Sequence, residues 1–164
     1  MNVALAALDA VVRVRGAGGE RAIPFAEFHT LPGDTPQRDT TLRPGELITG
    51  IDLPPPAFAD HAHYLKVRDR ASYAFALVSV AAALQMENGV VRQARIALGG
   101  VAHKPWRATE AEAMLVGKTL EEALFKQCAA AALAGARAHE HNAFKITLAQ
   151  RAITRAVRIA GQTA

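Results

Sequence analysis

One cysteine, Cys128, stands in 164 residues. A lone thiol closes no internal disulfide, and an iron–sulfur cluster needs roughly four thiolates. Set among alanines in a helical stretch, Cys128 reads as a small core residue. Aromatics are scarce at 5%, and no basic run is interleaved with them. The chain therefore lacks a nucleic-acid footprint, although its net charge is +4 and its pI near 9.6. No stretch reaches the roughly 20 unbroken apolar residues of a membrane helix. The opening MNVALAALDA has no basic leader and no cleavage pattern, so it does not read as a signal peptide and leaves cytoplasm and periplasm equally open. It reads as the middle of a helix whose N-cap is missing.

Catalytic motifs are missing too. There is no nucleophile elbow, no carboxylate pair singled out by spacing, and no Cys/His arrangement, so no catalytic residue is assigned. His61-Ala62-His63 and His139-Glu140-His141 each place two imidazoles close together, but no third ligand type accompanies them, and they read as loop histidines with no metal assigned. Gly16 to Gly19 joins two strands, and Gly99-Gly100 does not run straight into a helix, so neither fits a phosphate loop. The second pair is expected to admit another backbone closely or to form a bulge.

Hydrophobic residues make up 51% of the chain, enough for a sizeable core. Residues 1 to 9 are expected as a short helix. Ala10 to Arg15 alternates, with Val12 and Val14 opposite Arg13 and Arg15, as in a half-buried strand. The glycine turn returns it as Glu20 to Phe25. Thr30 to Pro44 is polar and reads as a long loop. Glu46 to Leu53 is expected as a strand with Leu47, Ile51 and Leu53 on one face and Ile48 on the other. Pro54-Pro55-Pro56 ends it, because residues without amide donors cannot extend a ladder. A domain boundary is placed there.

Beyond the prolines, His63 to Val67, Phe75 to Met86 and Val90 to Val101 are expected as three strands, the last two joined at Asn88-Gly89. Short connections make this sheet antiparallel, and it needs one face covered. Three helices can cover it: Arg107 to Val116; Leu120 to Ala136, with Thr119 and Glu122 as a capping box; and a third, capped by Asn142, to about Ile159. In the third, Phe144, Leu148, Ala152, Ala156 and Ile159 line one side, with Ala149 and Ile153 alongside. Arg151, Arg155 and Arg158 form the opposite stripe. Lys66 to Tyr73 is the most charged stretch. It reads either as an edge strand running into a polar loop, with Arg68 or Arg70 paired to Asp69, or as a cationic, aromatic edge that meets an electron-rich ring.

Three strings, LRPGELITGIDLP (Leu42 to Pro54), YLKVRDRASYAFALVSVAAAL (Tyr64 to Leu84) and ALGGVAHKPWRATEAE (Ala97 to Glu112), together resemble the FAD-binding subunit of molybdenum hydroxylases. That family includes the xanthine dehydrogenase, aldehyde oxidoreductase and carbon monoxide dehydrogenase flavoproteins. The resemblance covers nearly the whole chain. It implies an α+β fold: a three-stranded antiparallel sheet packed on a three-helix bundle, preceded by the β-rich end of a FAD-binding subdomain. Residues 1–56 would be the carboxy-terminal remnant of that subdomain and 57–164 the carboxy-terminal domain.

By the same resemblance, Ile48 matches an apolar position beside the isoalloxazine, Lys66 a lysine near its polar edge, and Tyr73 a residue against or near the ring. FAD is the implied cofactor, with its diphosphate held by glycine-rich loops of an amino-terminal half not found in this chain. Molybdenum cofactor and iron–sulfur clusters would sit on partner subunits. The implied function is to relay electrons from those clusters through FAD to an acceptor. The rival expectation is a non-catalytic interaction module derived from the same domain, using its flavin-facing surface to self-associate as a homo-oligomer or to dock a partner.

Overall fold

The computed structural model describes residues 1–162. Its elements run α1 (Asn2–Ala7), β1 (Val11–Gly16), β2 (Gly19–Pro24), α2 (Phe25–Phe28), β3 (Leu47–Asp52), β4 (Ala62–Val67), β5 (Val78–Glu87), β6 (Val90–Gly99), β7 (Trp106–Arg107), α3 (Thr109–Leu115), α4 (Glu122–Ala132) and α5 (Phe144–Gln162). They form two antiparallel sheets, ordered β2-β1-β3 and β4-β5-β6-β7. The fold is α+β, as expected.

In the small sheet the alternation of β1 holds. Val12 and Val14 are buried with Ile23 of β2, and Leu5, Ala10, Phe25 and Phe28 complete a compact cluster. Phe25 still donates its N–H to the Ala10 carbonyl at 2.8 Å. The chain then turns through α2, a single helical turn absent from the sequence reading, which brings Phe28 into the same cluster.

The face assignment of β3 needs correction. Arg13 pairs with Gly50 but Val14 pairs with Ile48, so Thr49 is an extra residue and the register shifts. Residues directly opposite in an antiparallel pair share a face. Ile48 and Ile51 therefore lie on the Val14 and Val12 side, while Leu47 stands with Arg15 on the other. Strict alternation could not show this, because a bulge flips the parity of everything beyond it.

The larger sheet carries the main core. Val78, Val80, Ala82 and Leu84 of β5 and Ile96 and Leu98 of β6 face a layer built by α3, α4 and α5. Beside the three expected strands, Trp106–Arg107 adds a two-residue fourth by pairing with Ala97 and Leu98. β5 begins at Val78 rather than Phe75. Its neighbour β4 ends at Val67, so the chain before Leu77, whose N–H bonds the Val67 carbonyl at 2.8 Å, has no ladder to join.

The helix ends differ from expectation as well. α4 starts at Glu122 without a side-chain cap, because Thr119 forms an isolated bridge with Val90. Asn142 Oδ1 accepts from the His139 N–H at 2.7 Å instead of capping α5. On α5 the buried stripe is Ala149, Ala152, Ile153, Ala156, Val157 and Ala160, and Phe144 is exposed. Alanine at four of those six positions lets the helix lie close to the sheet.

Candidate functional site

Register decides what lies on the sheet face turned away from the helices. Lys66 pairs with Ser79 and Ser79 with Gly99, so the three form one row across the sheet. The next row is Tyr64, Ala81, Ala97 and Arg107. Small residues here let α1 lie on the face, where Val3 and Ala7 pack on Ala81 and Ala97. A Cβ on Gly99 would stand 2.6 Å from both Ser79 Oγ and Val3 Cγ2, and one on Gly100 would stand 2.6 Å from the Leu77 carbonyl oxygen. The expected close backbone approach is met at Gly100, whose φ of +78° also suits glycine.

α1 leaves the Lys66 row open. Met1, Asn2 and Val3 form one wall of a cleft of about 1130 Å³, the row forms its floor, and the loop from Arg70 to Ala76 forms the other wall. Tyr73 is 94% and Phe75 100% exposed, so two large rings stand in solvent at one lip. Such rings normally mark a surface that meets a ligand or a partner. Tyr73 has φ of 53°, a strained conformation for a residue with a side chain. Arg70 supports it by donating to the Tyr73 carbonyl and by lying over its ring, 5.9 Å from the centroid. The arginine thus engages Tyr73, and the expected ion pair with Asp69 is not formed among the described residues.

Of the three residues singled out, Lys66 and Tyr73 line this cleft together. Ile48 sits on β3 in the other sheet, half-exposed beside Val14, and does not line it. Arg70, named in the sequence as part of a cationic, aromatic edge, also belongs to the cleft, and so do Phe75 and the buried Ser79, which the sequence does not mark as site residues. The charged run around Arg70 was the available signal for the loop. Ser79 carries no signal by itself, being one small polar residue in an apolar strand.

Behind the cleft, Arg107 ties α1 to the sheet. Its Nε donates to Glu112 Oε1 at 2.5 Å, and one terminal nitrogen donates to the Ala6 carbonyl at 2.9 Å and to Asp9. Glu112 is buried and also accepts from the Ile96 N–H at 2.6 Å. Asp9 reaches Arg95 at 3.2 Å, and the Arg95 guanidinium lies over Phe58, 5.7 Å from the ring centroid. A buried carboxylate is tolerable only when its lone pairs are filled in this way.

Cys128 is fully buried and donates to the Ala111 carbonyl; burial, with Glu112 adding to it, pushes its thiol up to about 12. His61 Nδ1 donates to the Ala160 carbonyl at 3.1 Å. Among the described residues no three His, Cys, Asp or Glu side chains gather to hold a metal ion. No described helix is long and apolar enough to cross a membrane.

An antiparallel sheet with helices on one face carries on the other a cleft lined by a lysine, a buried serine and two aromatic rings, in a chain whose class is the flavoproteins of the molybdenum hydroxylases. A family model for the CO dehydrogenase flavoprotein C-terminal domain matches residues 63–160, and one for the FAD binding domain in molybdopterin dehydrogenase matches residues 1–56. The chain belongs to the CO dehydrogenase flavoprotein C-terminal domain family.

The chain is similar to the aldehyde oxidoreductase FAD-binding subunit PaoB of Escherichia coli, at 47% identity over 93% of the chain and 45% of that protein. It is 36% identical to the glyceraldehyde dehydrogenase medium chain of Sulfolobus acidocaldarius, over 79% of the chain and 43% of that protein. The solved carbon monoxide dehydrogenase from Hydrogenophaga pseudoflava superimposes with a TM-score of 0.88 at 26% identity, over 99% of this chain and 56% of that one. The chain thus spans about half the length of the relatives it matches.

Proposed function

We propose that this chain forms one wall of the FAD pocket in the flavoprotein subunit of a molybdenum hydroxylase, relaying electrons from iron–sulfur clusters on a partner subunit through FAD to an acceptor. The observation that carries the proposal is the Lys66, Ser79, Gly99 row, left open between α1 and a lip bearing Tyr73 and Phe75.

The donor set fits the ring portion of the cofactor. Lys66 would face its polar edge, Ser79 offers a hydroxyl, and Tyr73 and Phe75 offer aromatic faces. Ile48, outside the cleft, would act only from a neighbouring surface. The glycine pair does not suit the diphosphate, because Val3, Ser79 and the Leu77 carbonyl already occupy the space that a missing Cβ leaves. Diphosphate contacts would come from protein outside these residues, in keeping with relatives about twice as long. Bound FAD would supply the redox chemistry, taking up electrons and passing them on. A lysine beside the ring favours negative charge there, and α1 with the aromatic lip keeps water from one side. On this reading residues 1–56 end a FAD-binding subdomain and 57–164 form the carboxy-terminal domain, with the molybdenum and iron–sulfur subunits as partners.

Titrating FAD into the chain while following flavin fluorescence tests the division of the pocket. Weak binding by the chain alone, tightened by adding the amino-terminal half of the Escherichia coli relative, is expected. Stoichiometric binding at micromolar concentration by the chain alone would overturn it. A second reading, an interaction module, is favoured by one observation: Leu47, Ile48, Ile51 and Leu53 on or beside edge strand β3 are all exposed.

A further inference from the structure

The arginine stripe of α5 has no part in the cleft. It lies on the helical layer, across the sheet from the Lys66 row. There Lys126 of α4 and Arg151, Arg155 and Arg158 of α5 line a groove of about 690 Å³ whose only carboxylate among the described residues is Glu122. Four cations against one carboxylate leave an excess of three, where the whole chain has +4. Arg158 is neutralised by Glu122, with contacts at 2.7 Å. Lys126, Arg151 and Arg155 have no such partner among the described residues. Most of the molecule's net charge is therefore gathered at one concave place, and three of its cations face it unpaired.

A solvated helix face carries charges of both signs in balance on a convex surface, whereas this one is concave and predominantly cationic. Its lining also includes Ala129 and Ile159, with Gln150 and Thr154 beside them. Apolar floor, amide and hydroxyl groups and an arginine rim match the composition of protein interfaces. Among the described residues no aromatic side chain lines the groove to stack a base, and no glycine backbone lines it to cradle a phosphate. Arg151 and Arg155 are one helical turn apart, so their guanidinium forks can each take a carboxylate about 6 Å from the next.

We propose that the α4–α5 groove docks an acidic segment of a partner protein, gripping successive carboxylates with Arg151 and Arg155 while Lys126 closes the opposite wall. The groove shares no residue with the cleft, so this surface and the flavin reading stand or fall separately.

The test uses the full chain and three fluorescent probes: a helical peptide with glutamates one turn apart, the same peptide with lysines, and a short oligothymidylate. Anisotropy is read at low and physiological salt. The glutamate peptide should bind with a Kd below about 1 mM at low salt and weaken as salt rises. Arg151→Glu/Arg155→Glu should weaken it at least about tenfold, and Lys126→Glu should also weaken it. Both arginines are exposed, and an unchanged circular dichroism melt confirms folding. Should the double variant melt early, Lys126→Glu alone decides. Equal binding by the decisive variant, absence of binding to the wild type, or tighter binding of the oligothymidylate would overturn the proposal.

Discussion

Glu46 shows how much a single side chain can organise when its neighbours are donors. Both of its oxygens take hydrogen bonds from Arg21 at 2.7 Å, and one also accepts the Arg43 N–H at 2.7 Å. These bonds, led by Arg21, lower its pKa from 4.5 to about 2. A carboxyl depressed on folding stabilises the protein fully above its unfolded value and loses that contribution as pH falls through the folded one. The fold should therefore weaken between about 4.5 and about 2. Denaturant midpoints followed from neutral pH downward should show that loss and show it flattened in Glu46→Gln. Cys128 makes an opposite kind of reporter: held neutral by burial, it should resist alkylation in the native protein and react only as the chain unfolds, timed against loss of circular dichroism. At Lys66, one charge near the flavin in water-like surroundings is worth about 1 kcal/mol, roughly 20 mV for a two-electron couple. Lys66→Met in the flavin-loaded assembly should lower the midpoint potential by that order, and an unchanged potential would remove Lys66 from the pocket.

Elements are placed here by small residues as much as by large ones. α1 is only six residues long and has no side-chain cap, so by itself it would not persist. It is held by Val3 and Ala7 against Ala81, Ala97 and Gly99, and by the Arg107 bonds to Ala6 and Asp9. Gly99→Val should drive a side chain into Val3 and Ser79, costing about 1–3 kcal/mol and releasing α1 to proteolysis. Arg107→Met would strand the buried Glu112 and should cost about 3 kcal/mol by urea denaturation. Adding Glu112→Gln should recover part of that loss, because the uncompensated charge causes most of it.

On the scale of the whole molecule, the two sheets are not equally finished. The large sheet is covered by helices on one face and by α1 on part of the other, whereas β3 is an edge strand with β1 as its partner among the described residues. Leu47 is 73% and Leu53 57% exposed along or beside that edge. An exposed apolar edge invites pairing with another chain. Light scattering should show concentration-dependent association that Leu47→Lys/Leu53→Lys reduces. A strict monomer at all concentrations would remove the homo-oligomer from the interaction-module reading.

Local chemistry determined a good deal. The alternation of AVVRVR, the Asn88-Gly89 turn, the proline stop after β3 and the alanine-rich α5 each act within a few residues, so the α+β pattern and most strands could be read directly. Lys66 and Tyr73 became candidates through the family's strings, and they prove to share a cleft. Tertiary structure decided the rest. The bulge at Thr49 moved Ile48 to the Val14 side of the strand, the end of β4 shortened β5, and Trp106 and Arg107 became a fourth strand. The row that joins Lys66 to Ser79 and Gly99, and the reach of Arg107 to Ala6, link residues far apart along the chain. Such pairings depend on register and on which faces meet, and those are set by packing between elements that no single stretch of sequence contains.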